Sequence, residues 1–155
     1  KKWGDFSGSF KIQTDSQDKM KSYTEDGTLM TSSLSSKMRW GKFRMNASLD
    51  SKSTTFKDSL KDYESTTIGA GGTFSWIPWV FGLNYKNFDQ EYKKPDVVTN
   101  LILKIKKDEI STDAKYAFSN SNIFGLALNQ IKQGSNDSSR SYSENQISFQ
   151  YIWMF

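Results

Sequence analysis

The chain has 155 residues, enough for one domain, with 25% charged and 15% aromatic side chains and a mean hydropathy of -0.68. It contains no cysteine and no histidine, which excludes a disulfide framework, a thiol nucleophile, a Cys/His zinc site and a Ser-His relay. The net charge of +4 permits an acidic partner, but the lysines are scattered among Asp and Glu, a pattern that argues against nucleic acid.

No stretch approaches the roughly 20 continuous apolar residues of a membrane helix. No signal peptide is visible at "KKWGDF", as expected of a mature or trimmed chain or of a cytosolic one. What recurs instead is a period of two, the mark of strands with one apolar face. From Asp5, Phe6, Gly8, Phe10 and Ile12 alternate with Ser7, Ser9, Lys11 and Gln13. After a polar stretch, Met30, Leu34, Met38 and Trp40 alternate with Thr31, Ser33, Ser35, Lys37 and Arg39. Gly41-Lys42 then shifts the parity, and Phe43, Met45, Ala47 and Leu49 follow, opposed by Arg44, Asn46 and Ser48. Such a shift is what a two-residue hairpin produces, because the residues flanking it share a face.

The pattern repeats in Ile68, Ala70, Gly72, Phe74 and Trp76, a break at Ile77-Pro78, then Trp79, Phe81, Leu83 and Tyr85. Ile110, Ala114, Tyr116 and Phe118 lead through "SNSN" to Phe124, Leu126 and Leu128. The last strand carries Ile147, Phe149, Tyr151, Trp153 and Phe155. Between them, "PDVVTNLILKIKKDE" reads either as a strand or as a short helix after Pro95. Placing it in a long loop, as an extension of the sixth strand interrupted near Lys106 to Asp108, predicts eight strands. Short turns at 41 to 42, 77 to 78 and 119 to 122 then lie at one end, and long loops at 15 to 28, 51 to 65, 90 to 108 and 134 to 144 at the other. Ten strands result if this segment and "KMKSYTE" are both counted.

One-sided strands suit two opposite folds: a soluble lipocalin-like barrel with the apolar face inward, or a membrane barrel with that face on lipid. Three features favour lipid. The strands read as about 9 to 11 residues long, the length a tilted spanning strand needs. Large aromatics gather at the turn side as a girdle: Trp40 and Phe43, Trp76 and Trp79, with Trp3 and Trp153 near the chain ends. The polar face is rich in Ser, Thr, Gly and Asn, as a narrow lumen requires.

The ending resembles the C-terminal signature of Gram-negative outer-membrane β-barrel proteins, a terminal Phe preceded by alternating aromatic or apolar residues. Phe149, Tyr151, Trp153 and Phe155 fit it, with Ser148 at the family's polar position and Gln150 where the family often has glycine. The resemblance implies that this strand is an assembly signal for the barrel-assembly machinery, that the protein sits in the bacterial outer membrane, and that lipid and lipopolysaccharide surround it.

The expected architecture is therefore an all-β, antiparallel up-and-down transmembrane β-barrel, residues 1 to 155 forming one domain. Lys11, Lys37, Arg39, Arg44, Asp113 and Lys115 would face the lumen, with Asp5 and Asp50 beside them, as a salt-bridged plug rather than a selective pore. No catalytic, cofactor or metal site is expected; "DSQD" and "TEDG" lack the ligand spacing of a calcium loop. The expected role is structural, or the presentation of polar loops to a protein partner, with the apolar strip from Val97 to Ile105 packed back on the neighbouring strand. The rivals are a narrow channel for small solutes and the soluble lipocalin-like barrel, and the direction of Trp40, Phe74, Phe81 and Phe149 separates them.

Overall fold

The computed structural model describes residues 6 to 18, 27 to 56, 62 to 97, 100 to 119 and 122 to 153. Trp3, Phe155, Asp5 and the segment "KMKSYTE" lie outside them. The described residues form eight strands: β1 (Phe6–Asp18), β2 (Gly27–Trp40), β3 (Phe43–Phe56), β4 (Tyr63–Trp76), β5 (Trp79–Tyr92), β6 (Lys104–Ser119), β7 (Asn122–Ser135) and β8 (Tyr142–Trp153). Seven antiparallel pairings join them into one sheet in the order β1 to β8. That is an up-and-down meander in which every strand pairs with its neighbours in sequence. Among the described residues β1 and β8 are its two edges, with no pairing between them.

The turns fall where the parity shifts place them. Trp40 pairs with Phe43 across Gly41-Lys42, and Gly41 has φ +56°, a left-handed conformation that glycine alone adopts without steric cost. Trp76 pairs with Trp79 across Ile77-Pro78, and Ser119 with Asn122.

The strands are longer than their apolar faces. They run 12 to 16 residues where 9 to 11 were expected, and the connections shrink accordingly. Residues 51 to 56 belong to β3, 63 to 65 to β4 and 90 to 92 to β5. The sixth strand is uninterrupted from Lys104 to Ala117, so the break expected near Lys106 to Asp108 is absent. Beyond the apolar stretch both faces are polar, and alternation in hydropathy disappears while backbone pairing continues.

Among the described residues no apolar core lies beneath the sheet. Leu103 and Ile131 are the buried hydrophobic residues among those described, and Thr54, Asp62 and Ser65 the buried polar ones. In β7 the polar face is the more covered one: Gly125 and Ile131 are buried and Ala127, Asn129 and Gln133 half-buried, while Phe124, Leu128, Gln130 and Lys132 are exposed. In β8 both faces are exposed from Tyr142 to Tyr151. The polar face is named inner and the apolar face outer.

Successive hairpins also reach progressively further. Phe43 pairs with Phe74 and Phe74 with Phe81, yet β4 and β5 continue one outward pair beyond, to Trp76 and Trp79. Trp79 pairs with Tyr116, and β6 again continues by two residues to Phe118. Each hairpin thus extends two residues past the one before, or one residue per strand. At about 3.3 Å per residue and about 4.8 Å per strand, that stagger inclines the strands by about 35° to the normal of the line through the turns.

Candidate functional site

The outer face divides into two zones along every strand. Near the turns it carries Leu34, Met38 and Trp40 on β2, Phe43, Met45 and Leu49 on β3, and Ile68, Phe74 and Trp76 on β4. Trp79, Phe81, Leu83 and Tyr85 follow on β5, Ile110, Tyr116 and Phe118 on β6, Phe124, Leu126 and Leu128 on β7, and Ile147, Phe149, Tyr151 and Trp153 on β8. No charged residue interrupts this band in any of the eight strands.

The band is exposed: Trp40 by 51%, Leu83 by 57% and Phe149 by 72%. Trp40, Phe81 and Phe149 thus lie exposed on the apolar face, while Phe74 is half-covered by stacking on Phe43 at 4.7 Å. Of the expected girdle, Trp40, Phe43, Trp76, Trp79 and Trp153 all lie here, and ring contacts link several. Trp79 touches Phe81 at 5.8 Å and Tyr116 at 4.7 Å, Tyr116 meets Phe118 edge-on at 4.9 Å, and Phe124 lies 6.5 Å from Phe149. Tyr151 donates to Asn122 Oδ1 at 2.6 Å, so its ring stays in the band while its hydroxyl is satisfied.

Above Tyr85 and Ile110 the same outer face turns ionic. Asp108 accepts hydrogen bonds from Tyr85 Oη at 2.7 Å and Asn87 Nδ2 at 2.9 Å. Lys106 pairs with Asp89 at 3.4 Å, Lys104 with Glu91 at 2.9 Å and Lys93 with Glu64 at 3.2 Å. The register explains the ladder, since Asp89 stands opposite Lys106 and Glu91 opposite Lys104. These partners lie more than ten residues apart in the chain, so only the pairing of β5 with β6, and for Lys93 and Glu64 of β4 with β5, reveals them.

The connections at this end are organised by backbone and amide contacts. Tyr92 N–H donates to Leu103 O, and Asp96 N–H to Leu101 O. Asn136 clamps the same segment, donating to Ile102 O at 2.7 Å and accepting from Lys104 N–H at 2.9 Å. Asp137 accepts from Ser139 N–H and Oγ, and these bonds hold its carboxyl below the usual carboxylate range. Leu103 packs away, but Val97, Leu101 and Ile102 remain exposed, so the expected packing of this strip onto the neighbouring strand is only partly realised.

The inner face collects the charges expected of a lumen. Lys37 and Arg39 project from β2, Arg44 from β3, and Asp113 and Lys115 from β6; Lys11 takes the matching register position on β1, opposite Ser35. Lys115 lies 3.7 Å from Asp113, and further up Lys107 lies 3.5 Å from Glu109. Arg39 stands directly opposite Arg44, and among the described residues no carboxylate pairs with either of them or with Lys37.

Small residues let the face curve. The Asp113 carboxylate occupies the space where a Gly82 Cβ would sit, and Asn84 does the same at Gly71. Higher up, Lys86, Phe88, Lys107 and Glu109 line an open recess of about 230 Å³. Among the described residues no group of His, Cys, Asp and Glu could hold a metal ion.

The chain matches no family model, no curated protein and no solved structure. Its function is therefore read from the two faces of the sheet alone.

Proposed function

We propose that the chain is an integral outer-membrane β-barrel of eight strands, its turns toward the periplasm and its long connections on the outside. Its role is structural or interactive, with polar loops presented to a protein partner and no catalysis. The observation that carries this reading is the exposed, charge-free band on the apolar face of a sheet beneath which the described residues form no apolar core. An apolar surface of that extent in water would be covered by a second layer or by a partner; lipid covers it on all sides at once.

Two further features support it. An inclination of about 35° falls in the range at which eight strands close into a barrel, so β1 and β8 would pair and leave no open edge. The seven residues from Trp79 to Tyr85 span about 23 Å along the strand and about 19 Å of height at that inclination. Ile77 and Phe118, both exposed, lengthen the band toward the turns, approaching the roughly 25 Å apolar height of such barrels. Aromatics at its lower rim match the headgroup level, and ion pairs begin where hydrocarbon would end.

The test is expression without detergent against refolding into detergent micelles, followed by gel mobility with and without boiling. The membrane barrel gives a heat-modifiable band in detergent only. A monodisperse folded protein in plain buffer would overturn it in favour of a soluble barrel.

A further inference from the structure

The bases of the inner face that have no carboxylate partner among the described residues acquire a meaning once the stagger is applied to them. Following hydrogen-bonded neighbours from Lys37 gives the row Asn46, Gly71, Asn84, Ser111, Asn129 and Gln146. That row is perpendicular to the strands and therefore climbs relative to the turns. Because each strand is displaced by one residue, the level of Lys37 meets β6, four strands on, four residues nearer the turn. The residue there is Lys115.

The same correction places Arg44 on β3 and Lys11 on β1 each within about one residue of that level. Arg39 lies two residues below Lys37 on its own strand, and Asp113 two above Lys115. On the remaining strands the inward positions nearest this level are Thr73, Gly82, Gly125 and Ile152, none of them acidic. Among the described residues five bases and one carboxylate thus share a single storey of the lumen, and that carboxylate is engaged with Lys115. The storey above is balanced differently, with Asp50 and Glu109 set among Lys52, Lys86 and Lys107.

We infer that this storey is a binding site for a small inorganic oxyanion such as phosphate or sulfate, held between Arg39, Arg44 and Lys37. Like charges directly opposite each other on neighbouring strands repel, and inside a narrow lumen water screens them poorly. An oxyanion removes that cost, and guanidinium groups match its geometry with paired N–H donors. Because the ring lies on the face opposite the apolar band, the anion comes from solution and not from a lipid headgroup.

This inference rests on the barrel reading, and the experiment separates the two. The refolded protein, in a neutral phosphate-free detergent, is heated in sodium phosphate or in sodium chloride of equal ionic strength, and the loss of the heat-modifiable form is followed. Phosphate is expected to raise the midpoint by several degrees over chloride, and the Lys37→Gln/Arg39→Gln/Arg44→Gln variant to lose that difference. The variant should fold, since removing the bases also removes their repulsion; its midpoint in chloride should equal or exceed the parent's. A parent that responds equally to both salts, a phosphate response that survives in the variant, or one elicited only by added anionic lipid overturns the oxyanion site while leaving the barrel standing. Absence of any heat-modifiable form overturns both.

Discussion

The turn-side and loop-side halves of the sheet share one backbone and differ in almost nothing but their outer face. Between Trp79 and Tyr85 β5 shows only aromatic and aliphatic groups outward; between Asn87 and Glu91 it shows amide and carboxylates. The pairing of β5 with β6 is continuous through both halves, from Trp79 opposite Tyr116 to Glu91 opposite Lys104. The inner face is largely polar in both. Hydrogen bonding and register therefore cannot explain the change, and the surrounding medium can.

The comparison breaks most sharply if a charge is moved between the halves. Leu83→Arg places a guanidinium in the middle of the charge-free band, where the membrane proposal predicts a cost of about 2 to 4 kcal/mol. Thr66→Arg places it on the outer face of the loop-side half, beside Asp89, where the change should stay within about 1 kcal/mol of zero. Urea unfolding of both variants in lipid vesicles measures the difference. Equal and small effects would mean that water, not lipid, meets the band.

A smaller contrast concerns the inner face. Gly82→Ala sets a Cβ against the Asp113 carboxylate and, by displacing it, disturbs the contact with Lys115; a cost of about 1 to 3 kcal/mol is expected. At Gly134, also a strand position, a Cβ would meet nothing within 4 Å. Gly134→Ala should therefore be neutral or stabilising by up to about 1 kcal/mol, through the unfolded chain's lost freedom. Midpoints from the same unfolding series decide it. If the two substitutions cost the same, the inner face is not packed as described.

How much was legible beforehand follows the same division. In the turn-side half the alternation of Phe43, Met45 and Leu49 with Arg44, Asn46 and Ser48 gives the strand and its faces, and the parity shift at Gly41-Lys42 gives the turn. In the loop-side half "DSKSTTF" and "KIKKDE" carry polar groups on both faces, so the period that betrays a strand vanishes and they read as loop. The charges of the polar face were legible as a set because they share its parity. Their arrangement was not, because height around a staggered sheet depends on seven registers that no single strand encodes.

The least conspicuous of these hidden positions yields the finest test. Thr54 is fully buried at the end of β3, where its hydroxyl accepts the Tyr63 N–H at 3.1 Å and donates to the Tyr63 carbonyl at 3.3 Å. One side chain thereby ties the last turn of backbone on β3 to the first residue of β4. Ser65 and Asp62 are buried close by in sequence. Thr54→Val keeps the shape and removes the hydroxyl, leaving a half-buried N–H without its partner, at an expected cost of about 1 to 2 kcal/mol. Because the tie lies in the loop-side half, that cost should appear as local opening of the facing ends of β3 and β4 and not as loss of the heat-modifiable form that the barrel proposal predicts. Limited proteolysis should then cut there faster while the heat-modifiable band persists. Should the band be lost as readily as in Leu83→Arg, the two halves would be one cooperative unit, and the independence of the loop-side sheet from the membrane-facing half would have to be abandoned.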